Sequence, residues 1–189
     1  MIKLFEQFNN EQEIHDICKK YYIENYTINS DGTIDVNETV DLSGLLRDII
    51  PIKFNVVRGD FYCYNNKLTS LINSPRIVDG IFSCSKNKLT SLEGSPERVG
   101  DYFYCSHNQI TQLDNLSLIL TELNCSANKI TELSNLPNSL FFLDYSHNQI
   151  TELNNIPSMI YLTYINCRND KITNPDILKK MFPNTKIKY

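Results

Sequence analysis

The stretch Phe61-Tyr-Cys-Tyr-Asn-Asn-Lys-Leu-Thr-Ser-Leu71 contains a pattern that recurs along most of the chain. The centre of the pattern is a tetrapeptide of Asn or Asp, Lys or Gln, Leu or Ile, and Thr. Its six copies begin at intervals of 21, 21, 20, 20 and 22 residues. A fixed period of this length predicts a solenoid, in which each copy forms one coil and stacked coils share a core. The copies begin at Asn66, Asn87, Asn108, Asn128, Asn148 and Asp170.

The residues around each tetrapeptide predict one strand and one return segment per coil. Phe61 and Cys63 stand five and three positions before Asn66, and equivalent apolar residues precede the other copies. Apolar residues two positions apart indicate a β-strand with one face toward the core. An inward Asn at the end of each strand can pair with backbone groups of neighbouring coils. The returns are marked by Pro75, Pro96, Pro137 and Pro157.

Five of the six cysteines fall in one column of the repeat, three positions before the Asn or Asp. Tyr145 takes the sixth place and predicts a wider coil. The sequence contains no Cys-x-x-Cys pair, so the column predicts packed thiols rather than disulfides or metal ligands. Cys18 is expected to pack in an N-terminal helix. The sequence predicts no cofactor and no metal site.

The repeat resembles the short bacterial class of leucine-rich repeats. Residues 128–145, with Leu136, Pro137, Leu140 and Leu143, are a close copy of that pattern. The Ser-Pro variants near residues 74–87 and 95–108 are similar to small repeat proteins of bacteriophages, large DNA viruses and bacteria. The resemblance covers residues 40–175. It implies an α/β solenoid of the leucine-rich-repeat type, with a parallel sheet of about six to seven short strands, irregular return arcs and helical caps.

The sequence predicts a single domain over residues 1–189, because one core can serve all the repeats. Residues 1–39 are predicted to form an N-terminal cap, with a helix over 10–24 that begins at Asn10 and a hairpin around 29–32. Residues 40–173 form the repeats. Residues 174–189 form a C-terminal cap, with a helix that begins near Pro175 and ends near Met181. Residues 186–189 are expected to add an edge strand.

Composition and charge argue against a nucleic-acid partner and against a membrane protein. The chain has 189 residues, 41% of them hydrophobic, and a formal net charge of -4. This charge gives no reason to expect a nucleic-acid partner, since phosphates require a concentrated basic surface. No apolar run approaches the roughly 20 residues of a membrane helix, and residues 1–10 become polar too early for a signal peptide. We therefore expect a cytoplasmic protein without a membrane partner, in the host cytoplasm if it is encoded by a phage.

The sequence contains residue types that could bind a metal ion or form a hydrolase triad, but their positions do not favour either role. His107 and His147 lie two coils apart, about 10 Å at the usual strand spacing, which is too far to bind one metal ion. Asp144, Ser146 and His147 are the residue types of a hydrolase triad, but they are neighbours on an open sheet. Ubiquitin-ligase effectors that carry similar repeats need a separate catalytic domain, for which no residues remain. The sequence predicts no enzymatic activity.

The outward side of the predicted sheet is rich in aromatic residues. Exposed aromatic clusters usually indicate contact with a partner, and tyrosine is common at the centre of protein interfaces. The alternative is that tyrosine simply suits strands. We predict a protein-binding face, with inhibition of a host protein as an extension if the chain is phage-encoded, and a homo-oligomeric structural role as the alternative. The predicted contacts are Tyr62, Tyr64, Tyr102, Tyr104, Phe142, Asp144, Tyr164 and Arg168.

Overall fold

The structure is a computed structural model that describes residues 11–117, 119–153 and 156–189. It contains two helices, α1 at Glu11–Lys20 and α2 at Asp176–Met181, and thirteen strands within these residues. In chain order the strands are β1 Tyr26–Ile28, β2 Ile34–Val36, β3 Val40–Asp41, β4 Phe54–Val57, β5 Phe61–Tyr62, β6 Ile77–Val78, β7 Phe82–Ser83, β8 Arg98–Val99, β9 Tyr102–Tyr104, β10 Glu122–Asn124, β11 Phe142–Asp144, β12 Tyr164–Asn166 and β13 Lys186–Lys188.

The first helix, α1, is amphipathic and ends earlier than the sequence predicted. Ile14 and Cys18 are buried on its inner side. Tyr22 has a φ of 57°, and the N–H of Ile23 donates to the carbonyl of Cys18 at 2.9 Å. This is a Schellman ending, in which a left-handed residue stops the helix and its 6→1 hydrogen bond satisfies a free carbonyl. The prediction of residue 24 as the helix end was therefore wrong, and the predicted start at Asn10 lies outside the described residues.

The main sheet confirms the predicted solenoid. Its eight strands lie in the order β13-β12-β11-β10-β9-β7-β5-β3, and all neighbouring pairs are parallel. Phe61 pairs with Phe82, and Phe82 pairs with Phe103, so equivalent positions of successive coils are in register. The eight strands exceed the predicted six to seven because β3 and β13 extend the sheet at its two ends. The expected edge strand at residues 186–189 is β13, which pairs with β12.

A second sheet was not predicted. It contains five strands in the order β1-β2-β4-β6-β8 and covers the return side of the first coils. Only the β1–β2 hairpin is antiparallel. The prediction of irregular return arcs was therefore wrong for these coils. Their returns contain short runs rich in β-branched residues, such as Ile77 and Val78, and such residues suit a strand. In the described residues after 117, the return side has no strand before the next coil.

A column of inward asparagines joins the coils, as predicted. We call Asn66, Asn87, Asn108, Asn128 and Asn148 the Asn ladder. In each coil the side-chain oxygen accepts a backbone N–H of the preceding coil, and the amide nitrogen donates to carbonyls of both coils. Asn108 accepts from the N–H of Leu89 and donates to the carbonyls of Cys84 and Cys105, each at 3.0 Å. The ladder thus satisfies buried backbone groups that the tight turn would leave unpaired.

The last position of this column departs from the pattern. Asp170 still accepts the N–H of Ile150 through Oδ1, at 3.3 Å. Its Oδ2 is buried and has no hydrogen-bond partner. Burial raises the pKa of this carboxyl group from 3.8 to about 7. A carboxylate cannot donate in place of the asparagine amide, so this coil favours the protonated acid.

The thiol column also lies in the core, as predicted. All six cysteines are free and buried, including Cys18 in α1. Tyr145, which replaces one thiol of the column, is fully buried. Burial raises the pKa of Cys63 and Cys84, so these thiols remain protonated and are poor nucleophiles. The column therefore has a packing role.

Candidate binding face

The outward side of the main sheet, which we call the sheet face, carries three rows of side chains. The rows lie six, four and two positions before the residues of the Asn ladder and Asp170. Because parallel strands are in register, equivalent positions of successive coils stand side by side, about 4.8 Å apart. The structure places every predicted contact residue in these rows. The first row contains Tyr102, Phe142 and Tyr164, the second Tyr62, Tyr104 and Asp144, and the third Tyr64 and Arg168.

The four tyrosines of the first coils form two ring pairs. Tyr62 and Tyr64 meet edge to face with centroids 6.1 Å apart, and Tyr102 and Tyr104 lie 5.9 Å apart. Ser83 stands between Tyr62 and Tyr104 in the second row. Ser83 is only 6% exposed although it points outward, because these larger neighbours shield it. We call Tyr62, Tyr64, Tyr102 and Tyr104 the tyrosine platform.

Two carboxylates border the tyrosine platform. The hydroxyl of Tyr62 donates to Asp60 Oδ2 at 2.9 Å, and the hydroxyl of Tyr104 donates to Glu122 Oε2 at 3.5 Å. Burial, reinforced by these carboxylates, raises the pKa of both phenols to about 12. The phenol groups are therefore uncharged at neutral pH. Their hydroxyls donate to the two carboxylates, and these contacts orient the rings.

The predicted contacts of the last coils form a separate group. Phe142 and Tyr164 stack with centroids 4.9 Å apart and an interplanar angle of 4°. In the first row Glu122 separates Phe142 from Tyr102. The guanidinium Nε of Arg168 donates to the carbonyl oxygen of Tyr189 at 3.3 Å, which ties this side chain to the C-terminal strand. The structure therefore divides the eight predicted residues into two clusters.

Asp144 is held by its neighbours rather than by a catalytic partner. Its Oδ1 accepts the backbone N–H of Ser146 at 3.0 Å and the hydroxyl of Ser146 at 2.6 Å. Its Oδ2 accepts the amide of Asn166 at 2.9 Å. Ser146 is only 4% exposed, and the ring of His147 lies against the amide of Asn169. A serine nucleophile needs a histidine base within hydrogen-bond reach, and this geometry does not provide one.

The exposed His107 and His147 share a backbone feature that the sequence did not reveal. Both precede a residue of the Asn ladder and have positive φ angles, 55° and 59°. Lys86 and Ala127 occupy equivalent positions with φ near the same value. The chain turns through the left-handed region at the end of each strand, which histidine tolerates better than most residues. Within the described residues, no group of three His, Cys, Asp or Glu could hold a metal ion.

Sequence reasoning did not select three groups that border or adjoin the predicted contacts. Asp60 and Glu122 occupy the first row, and their signal was the same six-residue offset that identified Tyr102. Phe141 and Tyr161 form a further exposed ring pair with centroids 5.7 Å apart. These two residues lie outside the three rows, so strand alternation could not identify them. Across the described chain, no helix is long and apolar enough to cross a lipid bilayer.

Comparison with solved structures defines the class of this fold. No protein-family model matches the sequence, and no curated protein matches it. The fold is similar to the leucine-rich-repeat protein LIC12759 of Leptospira interrogans, with a TM-score of 0.54 and 18% identity over 75% of this chain and 48% of that chain. It is also similar to YopM from Yersinia enterocolitica WA-314, with a TM-score of 0.51 and 27% identity over 72% of this chain and 32% of that chain.

The protein therefore has a solenoid of the leucine-rich-repeat type, as its repeat predicted. The matched part corresponds to about half the length of the Leptospira protein and about a third of YopM. Both neighbours are bacterial. Similarity to phage and viral proteins stays a prediction from the sequence.

Proposed function

We propose that this protein is an interaction module that binds a protein partner through the sheet face. The observation that supports this proposal best is the tyrosine platform. Tyr64 remains 39% exposed, and Tyr62, Tyr102 and Tyr104 remain partly exposed although the rings pack on one another. Tyrosine buries a large area on binding and loses few torsions, so such rings are effective anchors. Solenoids commonly use an extended sheet surface for this purpose.

The last coils supply a second contact area in the same proposal. Phe142 and Tyr164 offer a stacked apolar surface, and Asp144 is fixed by Ser146 and Asn166 before any partner arrives. A side chain that is already ordered loses less entropy on binding than a mobile one. Arg168 adds a positive charge beside them. A partner that spans both clusters would contact most of the sheet face.

The proposal assigns no enzymatic activity to this chain. Ser146 is buried and donates to Asp144, and His147 contacts Asn169 instead of the serine. The thiols of the core column are buried, and their pKa values are raised. The nucleophiles that the sequence offered are thus placed for packing or local hydrogen bonding. The exposed residues of the sheet face are aromatic and polar side chains suited to binding, whereas the candidate nucleophiles are buried.

The proposal is tested by affinity capture with the full chain and two matched double variants. Tyr62→Ala with Tyr104→Ala removes one ring from each pair of the tyrosine platform. Tyr22→Ala with Ile72→Ala removes two exposed apolar side chains from other surfaces. We expect the wild type and the second variant to capture a stoichiometric partner from a lysate of the source or host cell. The first variant should lose it while retaining a cooperative unfolding transition. Equal capture by both variants would overturn the proposal.

The biological setting is proposed on the sequence alone. If the chain is encoded by a phage, its partner would be a protein of the bacterial host, and the cytoplasm would be the place of contact. The sequence supports this setting through the Ser-Pro repeat variant. Localisation of a tagged full chain in the source cell, or in an infected host, tests it.

Self-assembly is the alternative role, and two observations favour it. The outer strand β13 ends the main sheet, and the exposed pair Phe141 and Tyr161 offers an apolar contact surface. Edge strands and exposed apolar clusters are common contacts between copies of a protein. Light scattering coupled to size-exclusion chromatography distinguishes the roles. A monomer mass that does not depend on concentration would exclude self-assembly.

A further inference from the structure

We propose that the tyrosine platform binds an arginine-containing, positively charged segment of the protein partner. This inference rests on the proposed binding function and specifies the chemistry of the partner at one part of the sheet face. It arises from the way in which the platform is combined with acidic side chains.

Strand pairing extends the three rows to β3 and β13, where Asp41 pairs with Tyr62 and Lys186 with Tyr164. The rows over β3, β5, β7, β9 and β10 carry negative charge and no positive charge. Their ionisable acids are Asp41, Asp60 and Glu122, and none of their residues is Lys or Arg. The salt bridges of the described chain lie elsewhere, at Arg76–Glu97, Arg98–Asp79 and Lys179–Asp176. The three acids therefore have no cationic partner within the described chain. Lys86 lies at the rim, at the turn after β7, and does not enter the rows.

A tyrosine ring lies beside a carboxylate at two places, within one coil at 2.9 Å for Tyr62 and Asp60 and between neighbouring coils at 3.5 Å for Tyr104 and Glu122. Tyr62 donates to Asp60, and Tyr104 donates to Glu122. A planar guanidinium can stack on a tyrosine ring and donate N–H groups to an adjacent carboxylate at the same time. Lysine has no planar group, so it can satisfy only one of these contacts well. The repeated pairing therefore favours arginine over lysine.

The pKa values of two phenols depend on the electrostatic environment of the tyrosine platform. The pKa of Tyr62 and of Tyr104 is raised to about 12, first by burial and then by the neighbouring acids. For Tyr62 the acids are Asp60 and Asp41, and for Tyr104 the acid is Glu122. Burial disfavours a charge of either sign, whereas the neighbouring acids disfavour only an additional negative charge and favour a positive one.

The opposite end of the sheet face carries the opposite charge. Arg168, Lys186 and Lys188 occupy the rows over β12 and β13. A cationic segment would be repelled there and attracted to the tyrosine platform, since charges on one surface act within about 10 Å at moderate salt. The charge distribution thus selects the first coils for this contact and fixes which end of the face the segment occupies.

The inference is tested with a defined peptide and the full chain. The probe is a capped peptide in which three arginines alternate with glycines, and its matched controls carry lysine or glutamate instead. Amide NMR spectra of the isotope-labelled protein are recorded during titration at moderate salt. We expect the arginine peptide to shift amides of β5, β7 and β9, to bind at least about twofold more tightly than the lysine peptide, and the glutamate peptide to have no effect.

Two pairs of substitutions test the carboxylates. Asp60→Asn with Glu122→Gln should weaken binding of the arginine peptide at least about fivefold. Glu93→Gln with Glu132→Gln removes the same net charge from exposed positions outside the sheet face and should leave binding unchanged. Asp60 also accepts the N–H of Ile81, so Glu122→Gln alone serves if the double variant does not fold. The single variant should still weaken binding at least about twofold.

Three results would overturn the inference. The first is the absence of shifts at millimolar peptide. The second is equal binding to the two double variants, and the third is equal binding of the arginine and lysine peptides. The proposed function fails separately, when the captured partner is retained after substitution of Tyr62 and Tyr104. Loss of that partner in the tyrosine variant together with its retention in the Asp60 and Glu122 variant would leave the binding face intact and reject only its cationic ligand.

Discussion

The N-terminal coils, residues 40–108, and the C-terminal coils, residues 109–173, fill the same cross-section in different ways. In the N-terminal coils, Phe61, Phe82 and Phe103 form an inward column with successive ring centroids 5.9 and 5.2 Å apart. In the C-terminal coils, Leu123 and Leu143 occupy this column, in the same register. The parallel strand pairing continues through both parts, and the Asn ladder continues as far as Asn148.

The corner before each strand differs in the opposite sense. Gly100 stands eight positions before its ladder residue, and an added Cβ would lie 2.0 Å from the carbonyl oxygen of Asp79. Leu120 and Leu140 stand at the equivalent position in the next two coils and are fully buried. In the coils of Phe82 and Phe103 the fully buried residue of the return segment is a valine, Val78 or Val99, one position earlier. A phenylalanine in the strand thus accompanies a valine in the return segment, and a leucine in the strand accompanies a leucine there. The comparison indicates that each coil conserves its filled volume rather than the size of any single residue.

The largest effect should come from removing a ring of the N-terminal column. Phe82→Ala is expected to lower the free energy of unfolding by about 3 to 5 kcal/mol, because it leaves a cavity in a coil whose return segment contributes Val78 rather than a larger leucine. Leu143→Ala, its counterpart in the C-terminal coils, should cost about 2 to 4 kcal/mol. Urea unfolding of both variants measures the difference. Equal losses would show that the corner contributes nothing to filling the core.

A smaller, pH-dependent effect is expected at Asp170, which follows the Asn ladder at the end of the C-terminal coils. Asp170 has a raised pKa in the folded state, about 7 against 3.8. Between these values the folded protein holds a proton that the unfolded chain has released, so stability falls as the pH rises through this interval. Asp170→Asn restores a donor and should raise the free energy of unfolding by about 1 to 3 kcal/mol at pH 8, and by less at pH 5.

A matched substitution provides the control for Asp170. Asn108→Asp introduces a carboxylate at a ladder position in the N-terminal coils and should destabilise the protein more at pH 8 than at pH 5. Urea unfolding at the two pH values follows both variants. A gain for Asp170→Asn that is the same at pH 5 and pH 8 would contradict the protonation argument.

The smallest effect concerns the left-handed turn that both parts share. Ala127 has a φ of 53°, a conformation that costs an L-residue free energy and costs glycine almost none. Ala127→Gly should therefore raise the free energy of unfolding by about 0.5 to 1 kcal/mol. Asn65→Gly, at the equivalent position with a φ of 56°, is the matched control and should change little, because asparagine already tolerates this region. A loss of stability in the alanine variant would show that the turn is not strained.

Prediction from the sequence succeeded where the repeat carried the information. The Asn ladder, the thiol column and the parallel register all follow from residues that recur at one offset. The prediction failed for features that do not recur in every coil. The end of α1 depends on Tyr22 in a left-handed conformation, and the second sheet depends on pairing between runs such as Ile77–Val78 and Arg98–Val99. A two-residue run has too little periodicity to predict a strand.

The candidate site shows the same division. The sequence predicted the outward rows and the aromatic residues in them, because alternation along a strand decides which side chains point outward. It did not predict the pairing of Tyr62 with Asp60 or of Tyr104 with Glu122, or the shielding of Ser83. These contacts depend on side-chain torsions and, for Tyr104 and Glu122, on two different coils.

The repeat is thus sufficient to specify the solenoid, its register and the exposed face, since a period near 20 residues with an inward Asn permits one stacking pattern. The arrangement of the rings and acids on that face, the end of the second sheet and the preference of Asp170 for its protonated form are properties of the folded molecule. Burial follows the local pattern of apolar residues in each coil, so it can be predicted from that coil alone. Hydrogen bonding, shielding and proton affinity depend on neighbours that the folded coils bring together.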